Sequence, residues 1–293
     1  MSLEICVLAS GSSGNCTVVR SANGVFLIDA GIGPRITRDR MKGTGVNPEQ
    51  IRAICLTHLD SDHFRPSWVR FVAQRQVRIF CHLHRVDELR QRVRSFCSGQ
   101  PDAPAEAFCA LVTGFAARPF QPIDGVNARP LAFDHDVTGS HGFVIDCDGT
   151  RLGYATDLGN VPDRLIERFR DLDILALESN YDPGMQLASA RPWFLKQRIM
   201  GGSGHLSNAQ AFHAIQRIFD KAEENEGRLP SHVVLLHRSR QCNCPKLMQK
   251  VFARDRRIAQ RLTLAEQYRR SNWLRAAKGK LHVGEQMMLA WRT

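Results

Sequence analysis

Short apolar runs, broken by glycine, proline and acidic residues, set the rhythm of the N-terminal part of the chain. Leu3 to Ser10, Thr17 to Val19 and Gly24 to Asp29 read as strands, with the small-residue loop Gly11-Ser12-Ser13-Gly14-Asn15-Cys16 joining the first two. That loop suits either a plain hairpin turn or a close backbone approach to a metal site or phosphate. Arg35 to Lys42 predicts a short helix, Ile51 to Thr57 a strand, and Val77 to Cys81 another strand between helices at Pro66 to Gln74 and Arg85 to Phe96. From Ser98 to Pro130 the composition turns to Pro, Gly and Ala, which predicts loops and edge strands. Ala128 to Phe133, Gly142 to Asp146 and Arg151 to Thr156 resume the strand pattern, and Asp148-Gly149 marks a tight turn pairing the last two antiparallel.

The second half alternates in the same way. Helices are expected at Pro162 to Arg170, at Ala190 to Met200 and from Ser207 onward, where Ala211, Phe212, Ile215, Ile218 and Phe219 form an apolar stripe. His213 on that helix reads as a surface or core residue. Asp173 to Leu177 and Val233 to Leu236 are buried strands. Pro245 to Arg270 suggests one or two helices with basic outer faces, and His282 to Trp291 a last strand. Strand alternating with helix is the signature of an α/β chain.

Length alters this picture little. At 293 residues one elaborated domain is expected, with a catalytic core over 1–239 and a basic C-terminal stretch over 240–293 integral to it. No apolar run approaches the roughly 18 residues of a membrane span, and no export signal is visible, so a cytoplasmic protein without a membrane partner is expected. Nine cysteines are scattered, as in reduced intracellular proteins, and predict no disulfides. Cys242-Asn243-Cys244 is too tightly spaced for a metal or redox pair and reads as a loop. Charge changes more. Of a net +11, the stretch from Arg240 to Thr293 carries thirteen basic against three acidic residues. Such an excess suits docking of a polyanion such as nucleic acid, or simply a solvated helical face.

The chemistry gathers where strands end. His58-Leu59-Asp60-Ser61-Asp62-His63 puts four potential metal ligands within six residues, directly after an apolar strand. Alternate side chains leaving a strand can converge on one point, and imidazole and carboxylate are ligands for zinc, manganese and iron. A turn with an N-cap ahead of Pro66 is the competing reading. His135, Asp157 and His237 end later strands, completing the set His58, Asp60, Asp62, His63, His135, Asp157 and His237.

This ordered set resembles the metallo-β-lactamase-fold hydrolases, whose pattern is H-x-H-x-D-H followed by a distant His, a bridging Asp and a final His. Within that superfamily, Ala9 to Asn15, Tyr154 to Gly159, Leu177 to Asp182, Leu195 to Ile199 and Gly204 to Asn208 look like the WalJ (YycJ) branch of 5′ DNA exonucleases. The resemblance implies a four-layer αββα sandwich and two divalent metal ions. It places His58, Asp60 and His135 on one ion, Asp62, His63 and His237 on the other, and Asp157 with a hydroxide between them. It further implies that Asp62 orients that hydroxide and that His205 protonates the departing oxygen or stabilises negative charge on the phosphate, and it suggests Ser12, Asn15, Lys196 and Ser207 as substrate contacts. Glu178 and Asn180 stand where partners of the histidines would be. One departure is Asp60, where the pattern has His. A carboxylate adds negative charge and favours harder ions such as manganese or iron over zinc. A nuclease acting on DNA is the leading expectation. The alternatives are a small-molecule hydrolase on the same fold, or a nucleic-acid-binding protein whose metal site Asp60 has weakened.

Overall fold

A computed structural model of the chain describes residues 3–99 and 104–276. The first sheet contains β1 (Glu4–Ala9), β2 (Cys16–Ser21), β3 (Gly24–Ile28), β4 (Ile51–Cys55), β5 (Arg78–His82) and β6 (Val112–Phe115). These lie side by side in sequence order, antiparallel from β1 to β3 and parallel from β3 to β6. The second sheet repeats the scheme with β7 (Asn127–Phe133), β8 (Ser140–Cys147), β9 (Thr150–Ala155), β10 (Ile174–Glu178), β11 (His232–Leu236) and β12 (Leu262–Leu264). Here β7 to β9 are antiparallel and β9 to β12 parallel. A short β13 (Leu274–Arg275) pairs with β1 and closes the first sheet's far edge.

The strands are apolar on both faces because both faces are covered. Along β1, Ile5 and Val7 point into the core between the sheets while Cys6 and Leu8 point into the core under the helices. Along β11, Val234 and Leu236 face the other sheet, and Val233 and Leu235 face the helices on the outside. Helices 69–75, 86–97 and 105–110 cover the first sheet; helices 163–169, 208–224 and 245–252 cover the second. The result is the expected αββα sandwich of four layers.

Several elements differ from expectation for local reasons. The stretch 98–130 contains a helix at Ala105–Ala110 ahead of β6. The expected helix 190–200 begins only at Trp193, because Pro192 holds extended backbone at the N-cap, and a separate short helix, Pro183–Ala188, precedes it. The basic stretch after Pro245 forms two short helices, 245–252 and 256–259, and then supplies β12. Its charge is partly spent in place: Arg257 forms ion pairs with Asp220, Glu223 and Asp255, and Arg275 with Glu4. The strand expected at 282–291 lies outside the described residues. All nine cysteines are free thiols, eight of them buried. Among the described residues no helix is long and apolar enough to cross a membrane.

Candidate metal centre

In sheets with parallel strands, sites form beyond the carboxyl ends of the strands. Here β3 delivers Asp29, β4 delivers Thr57 and His58, β7 delivers His135, β9 delivers Asp157, β10 delivers Glu178, and β11 delivers His237. The loop after β4 turns tightly, Asp60 O accepting from the N–H groups of His63 and Phe64, so His58, Asp60, Asp62 and His63 stay together. Gly31 makes this possible. A Cβ there would lie 1.7 Å from the Asp62 carbonyl oxygen, so only glycine admits the loop so close. Asp29, Asp136, Asp157 and His237 all adopt left-handed backbone, with φ of 61°, 42°, 54° and 52°. Such conformations in non-glycine residues are strained and persist where the surrounding packing enforces them.

Five imidazoles form a closed circle. Ring centroids are 4.0 Å apart for His58–His63, 5.8 Å for His63–His237, 5.1 Å for His237–His205, 5.3 Å for His205–His135 and 5.2 Å for His135–His58. Asp157 reaches into the circle, its oxygens 3.1 Å from both His63 Nε2 and His237 Nδ1, 3.4 Å from His205 Nδ1 and 3.9 Å from His135 Nε2. Asp62 Oδ2 lies 3.3 Å from His237 Nε2 and 3.6 Å from His63 Nε2.

The outer ring nitrogens are fixed by buried partners. His63 Nδ1 is 2.8 Å from Asp29 Oδ2, and His135 Nδ1 is 2.9 Å from the Gly204 carbonyl oxygen. Both partners accept, so each Nδ1 carries the proton. The Thr57 hydroxyl, 3.0 Å from Asp29, donates there and is left to accept from His58 Nδ1. These bonds leave the Nε2 lone pairs of His58, His63 and His135 directed inward, which is how metal-ligating histidines are commonly oriented.

Electrostatics divide the histidines into a neutral donor, His58, and two, His63 and His237, that must release a proton before a cation binds. Burial, together with the neighbouring His63, pushes His58 well below the ordinary imidazole range, so it stays a neutral donor. Burial opposes charge on His63 and His237 as well, but their carboxylates overcome it. Asp29, Asp157 and Asp62 hold His63 well above its ordinary value, and Asp157, Asp62 and Glu178 lift His237 to about 10. In return, Asp62 is held down to about 2 by His63 and His237 against its burial, and Asp157 well below the usual carboxylate range. Carboxylates kept ionised among inward imidazoles are the donor set that first-row divalent cations take. The residues present therefore fit such ions. Among the described residues four groups bring ligand atoms within 4.8 Å of one another, namely Asp157–Glu178–His205–His237, His58–His135–Asp157, Asp62–His63–His237 and Asp60–His135–Asp136.

Above the circle opens a cleft of about 450 Å³, lined by Ser12, His58, Asp60, Asp62, His135, Asp157, His205 and His237 among others. His63 lies beneath it, fully buried. The four expected substrate contacts separate. Ser12 lines the cleft, whereas Asn15 lies below, its amide 2.9 Å from His63 Nε2 and its Oδ1 accepting from Gly11 N. Lys196 donates to the Leu187 carbonyl and does not line the cleft, because helix 193–200 turns Leu195, Arg198 and Ile199 toward it instead. Ser207 is the N-cap of helix 208–224 in a capping box with Gln210. The Gly11–Asn15 loop spends its donors on the protein: Gly11, Ser13, Gly14 and Asn15 N–H bond to Asn15, Gln267, Gly11 and Asp62.

Other residues went unremarked in the sequence. Arg191 and Arg198 line the cleft, and Arg198 forms a two-pronged bond with Asp136. Asp29 orients His63 and Thr57 from complete burial. Its place at a strand end was the signal that could have found it. Glu178 and Asn180 do contact the histidines: Glu178 Oε1 is 2.7 Å from His205 Nδ1 and 3.2 Å from His237 Nδ1, and Asn180 donates to the His237 carbonyl.

Comparison with known proteins accords with this geometry. A family described as "Beta-lactamase superfamily domain" matches residues 25–237. An "Exodeoxyribonuclease YycJ" of Bacillus anthracis is 24% identical over 247 residues, covering 84% of this chain and 86% of that protein. A "Ribonuclease Z" of Mycobacterium bovis is 28% identical over 188 residues, 53% of this chain and 62% of that protein. Among solved structures, unliganded yeast PDE1 superposes with a TM-score of 0.67 at 14% identity, covering 92% of this chain and 99% of the other.

Proposed function

The chain belongs to the β-lactamase superfamily, and from that premise we propose that it is a metal-dependent phosphodiesterase that shortens nucleic acid from an end, DNA being the favoured substrate. The observation that carries this reading is the circle of five imidazoles around Asp157, set at the floor of a cleft walled by Arg191 and Arg198. The name of the Bacillus anthracis relative, aligned along most of both chains, supports DNA and an exonuclease. The resemblance to the WalJ (YycJ) branch implies action from 5′ ends, which sets the polarity to be tested.

His58, Asp60 and His135 would hold one divalent cation and Asp62, His63 and His237 a second, with Asp157 shared. Cations so held would supply Lewis acidity and a nucleophile drawn from water near neutral pH. The protein's own groups do the rest. Arg198, kept in place by Asp136, and Arg191, held by Gln186 and Gln241, offer guanidinium donors to a phosphate entering the cleft. Glu178, buried and accepting from the Leu158 and Leu206 N–H groups, fixes His205 through Nδ1. His205 Nε2 is then free to give a proton to the departing oxygen. The mouth of the cleft suits an unpaired strand. Trp193 and Phe194, 63% and 71% exposed, precede the cleft-lining Leu195. Across the rim, Arg240 packs over Tyr268 between the cleft-lining Ser239 and Gln241. Exposed aromatics beside arginines suit base stacking on a single strand.

A cleft of this size also admits a small phosphodiester, which gives the second reading. End-labelled single-stranded DNA and matching RNA, with manganese added, discriminate between them. A 5′ label released at once as mononucleotide, and lost activity in Asp157→Asn, is the expected result. Turnover of a small chromogenic phosphodiester with no shortening of either polymer would instead favour the small-molecule reading.

A further inference from the structure

A second cavity, of about 300 Å³, lies where the edge strands β6 and β7 of the two sheets meet. It is lined by His82, Arg129, Leu131, His141, Arg164 and Arg168, with Ala116, Ala117, Pro130 and Ala132. Three guanidinium groups and two imidazoles face it, and no carboxylate does. Arg164 and Arg168 stand one turn apart on helix 163–169 and so present neighbouring side chains. Only Arg164 is engaged, donating to the Ala132 carbonyl. The Arg129 and Arg168 guanidinium groups have no ion-pair or hydrogen-bond partner among the described residues, although carboxylates elsewhere on the surface pair freely with arginine. An open basic pocket without its own counter-charge is suited to an anion brought by a ligand.

The apolar part of the lining narrows the ligand. His82 and His141 stack face to face, centroids 4.3 Å apart and planes 17° from parallel, and Phe115 packs edge-on against both. Burial, then the neighbouring His82, takes His141 down to about 4, so the stacked pair offers neutral aromatic surface at physiological pH. Guanidinium groups for a phosphate and a flat π-surface for a base together match a nucleotide unit.

Position ties this cavity to the catalytic cleft. The His141 N–H donates to the Thr57 carbonyl at 2.9 Å, and Thr57 is the residue before His58. Ala132 on β7 lines the cavity, and His135, just past the end of β7, lines the cleft. At about 3.3 Å per extended residue the backbone positions of Ala132 and His135 are on the order of 10 Å apart at most, farther than a single nucleotide step of a strand.

We propose that this cavity is a second nucleotide-binding site, holding a phosphate and base of the strand whose scissile bond lies in the catalytic cleft. The assignment rests on the nuclease reading above. It is tested by comparing the wild-type protein, loaded with manganese, with Arg129→Ala/Arg168→Ala, both residues being exposed and outside the metal centre. The substrates are a single-stranded 12-mer, a dinucleotide and bis(p-nitrophenyl) phosphate. The double variant is expected to raise KM for the 12-mer about tenfold and to reduce its salt slope by about two, one per phosphate-facing cation removed. The dinucleotide, too short to reach the cavity, and the chromogenic ester should be turned over as before. Equal turnover of the 12-mer by both proteins would overturn the site, as would a matching loss on all three substrates, which marks damage to the fold. A wild-type protein that hydrolyses the chromogenic ester but neither binds nor shortens the 12-mer would refute the nuclease reading itself, and the second site with it.

Discussion

Replacing Asp29 by asparagine removes one charge and almost no volume from a position that touches no solvent and no substrate. Asp29 Oδ1 accepts from Thr57 N at 2.8 Å and from the Thr57 hydroxyl at 3.0 Å, while Oδ2 faces His63 Nδ1 at 2.8 Å. An amide can satisfy Thr57 only by putting its oxygen where Oδ1 lies. Its NH2 group then faces His63 Nδ1 and forces the imidazole proton onto Nε2, the nitrogen that faces the metal centre. Turning the amide over instead sets NH2 against the Thr57 N–H and leaves a buried donor unpaired, at a cost of about 1–3 kcal/mol. Either way His63 is spoiled as a ligand without being touched. Losing such an outer partner typically costs on the order of 10- to 100-fold in metal affinity, about 1.4–2.7 kcal/mol. The assay is a competitive metal titration against a chromophoric chelator, with circular dichroism to verify folding. Asp29→Asn should lose affinity for one ion by that factor and keep the other. Unchanged affinity at both sites in a folded variant would refute the reasoning, because His63 would then not depend on Asp29 for its tautomer.

Three further expectations follow from the same geometry. In chelator-treated protein, Asp62, held down to about 2, contributes stability that is present above its ordinary value of 3.8 and is lost as pH falls toward 2. His237, lifted to about 10, contributes stability that is present below 6.5 and is lost as pH rises toward 10. Melting temperatures should therefore decline on both limbs, and Asp62→Asn should flatten the acid limb and His237→Gln the alkaline one; parallel melts for wild type and His237→Gln from pH 6.5 to 10 would contradict this. Asp60→His should move metal preference from manganese or iron toward zinc, read as the ratio of bound metals by mass spectrometry after loading from an equimolar mixture. Trp193→Ala/Phe194→Ala should weaken single-stranded DNA binding by roughly 1–3 kcal/mol per stacked base, measured by fluorescence anisotropy, and leave turnover of bis(p-nitrophenyl) phosphate unchanged.

Much of the fold was legible because both faces of each sheet are buried, which writes strands as apolar runs that end abruptly in polar side chains. The same rule gathered His58, Asp60, Asp62, His63, His135, Asp157 and His237, which the structure brings around one centre. What the pattern concealed was local. Pro192 shortened a helix that periodicity extended, and helix 105–110 lay in a stretch whose composition read as loop. Lys196 and Arg198 occupy one matched segment, and only the turn of the helix decides that Arg198 and not Lys196 meets the cleft. Ser207 and Asn15 carry the polar groups of substrate contacts but are committed to a helix cap and to the underside of His63. Asp29 was visible as a strand-end carboxylate, yet its partner in space, His63, is 34 residues away in sequence, and no local spacing links them.

Metal content and metal dependence, measured on one preparation, test the central claim most directly. Bound divalent ions are to be quantified in the wild-type protein and in Asp157→Ala, and both proteins then assayed for release of the 5′ nucleotide from end-labelled single-stranded DNA before and after chelation. The account predicts two ions per wild-type chain, release that stops on chelation and returns with manganese, and neither full loading nor release in the variant. Nucleotide release that survives chelation, or that persists undiminished in Asp157→Ala, would contradict it.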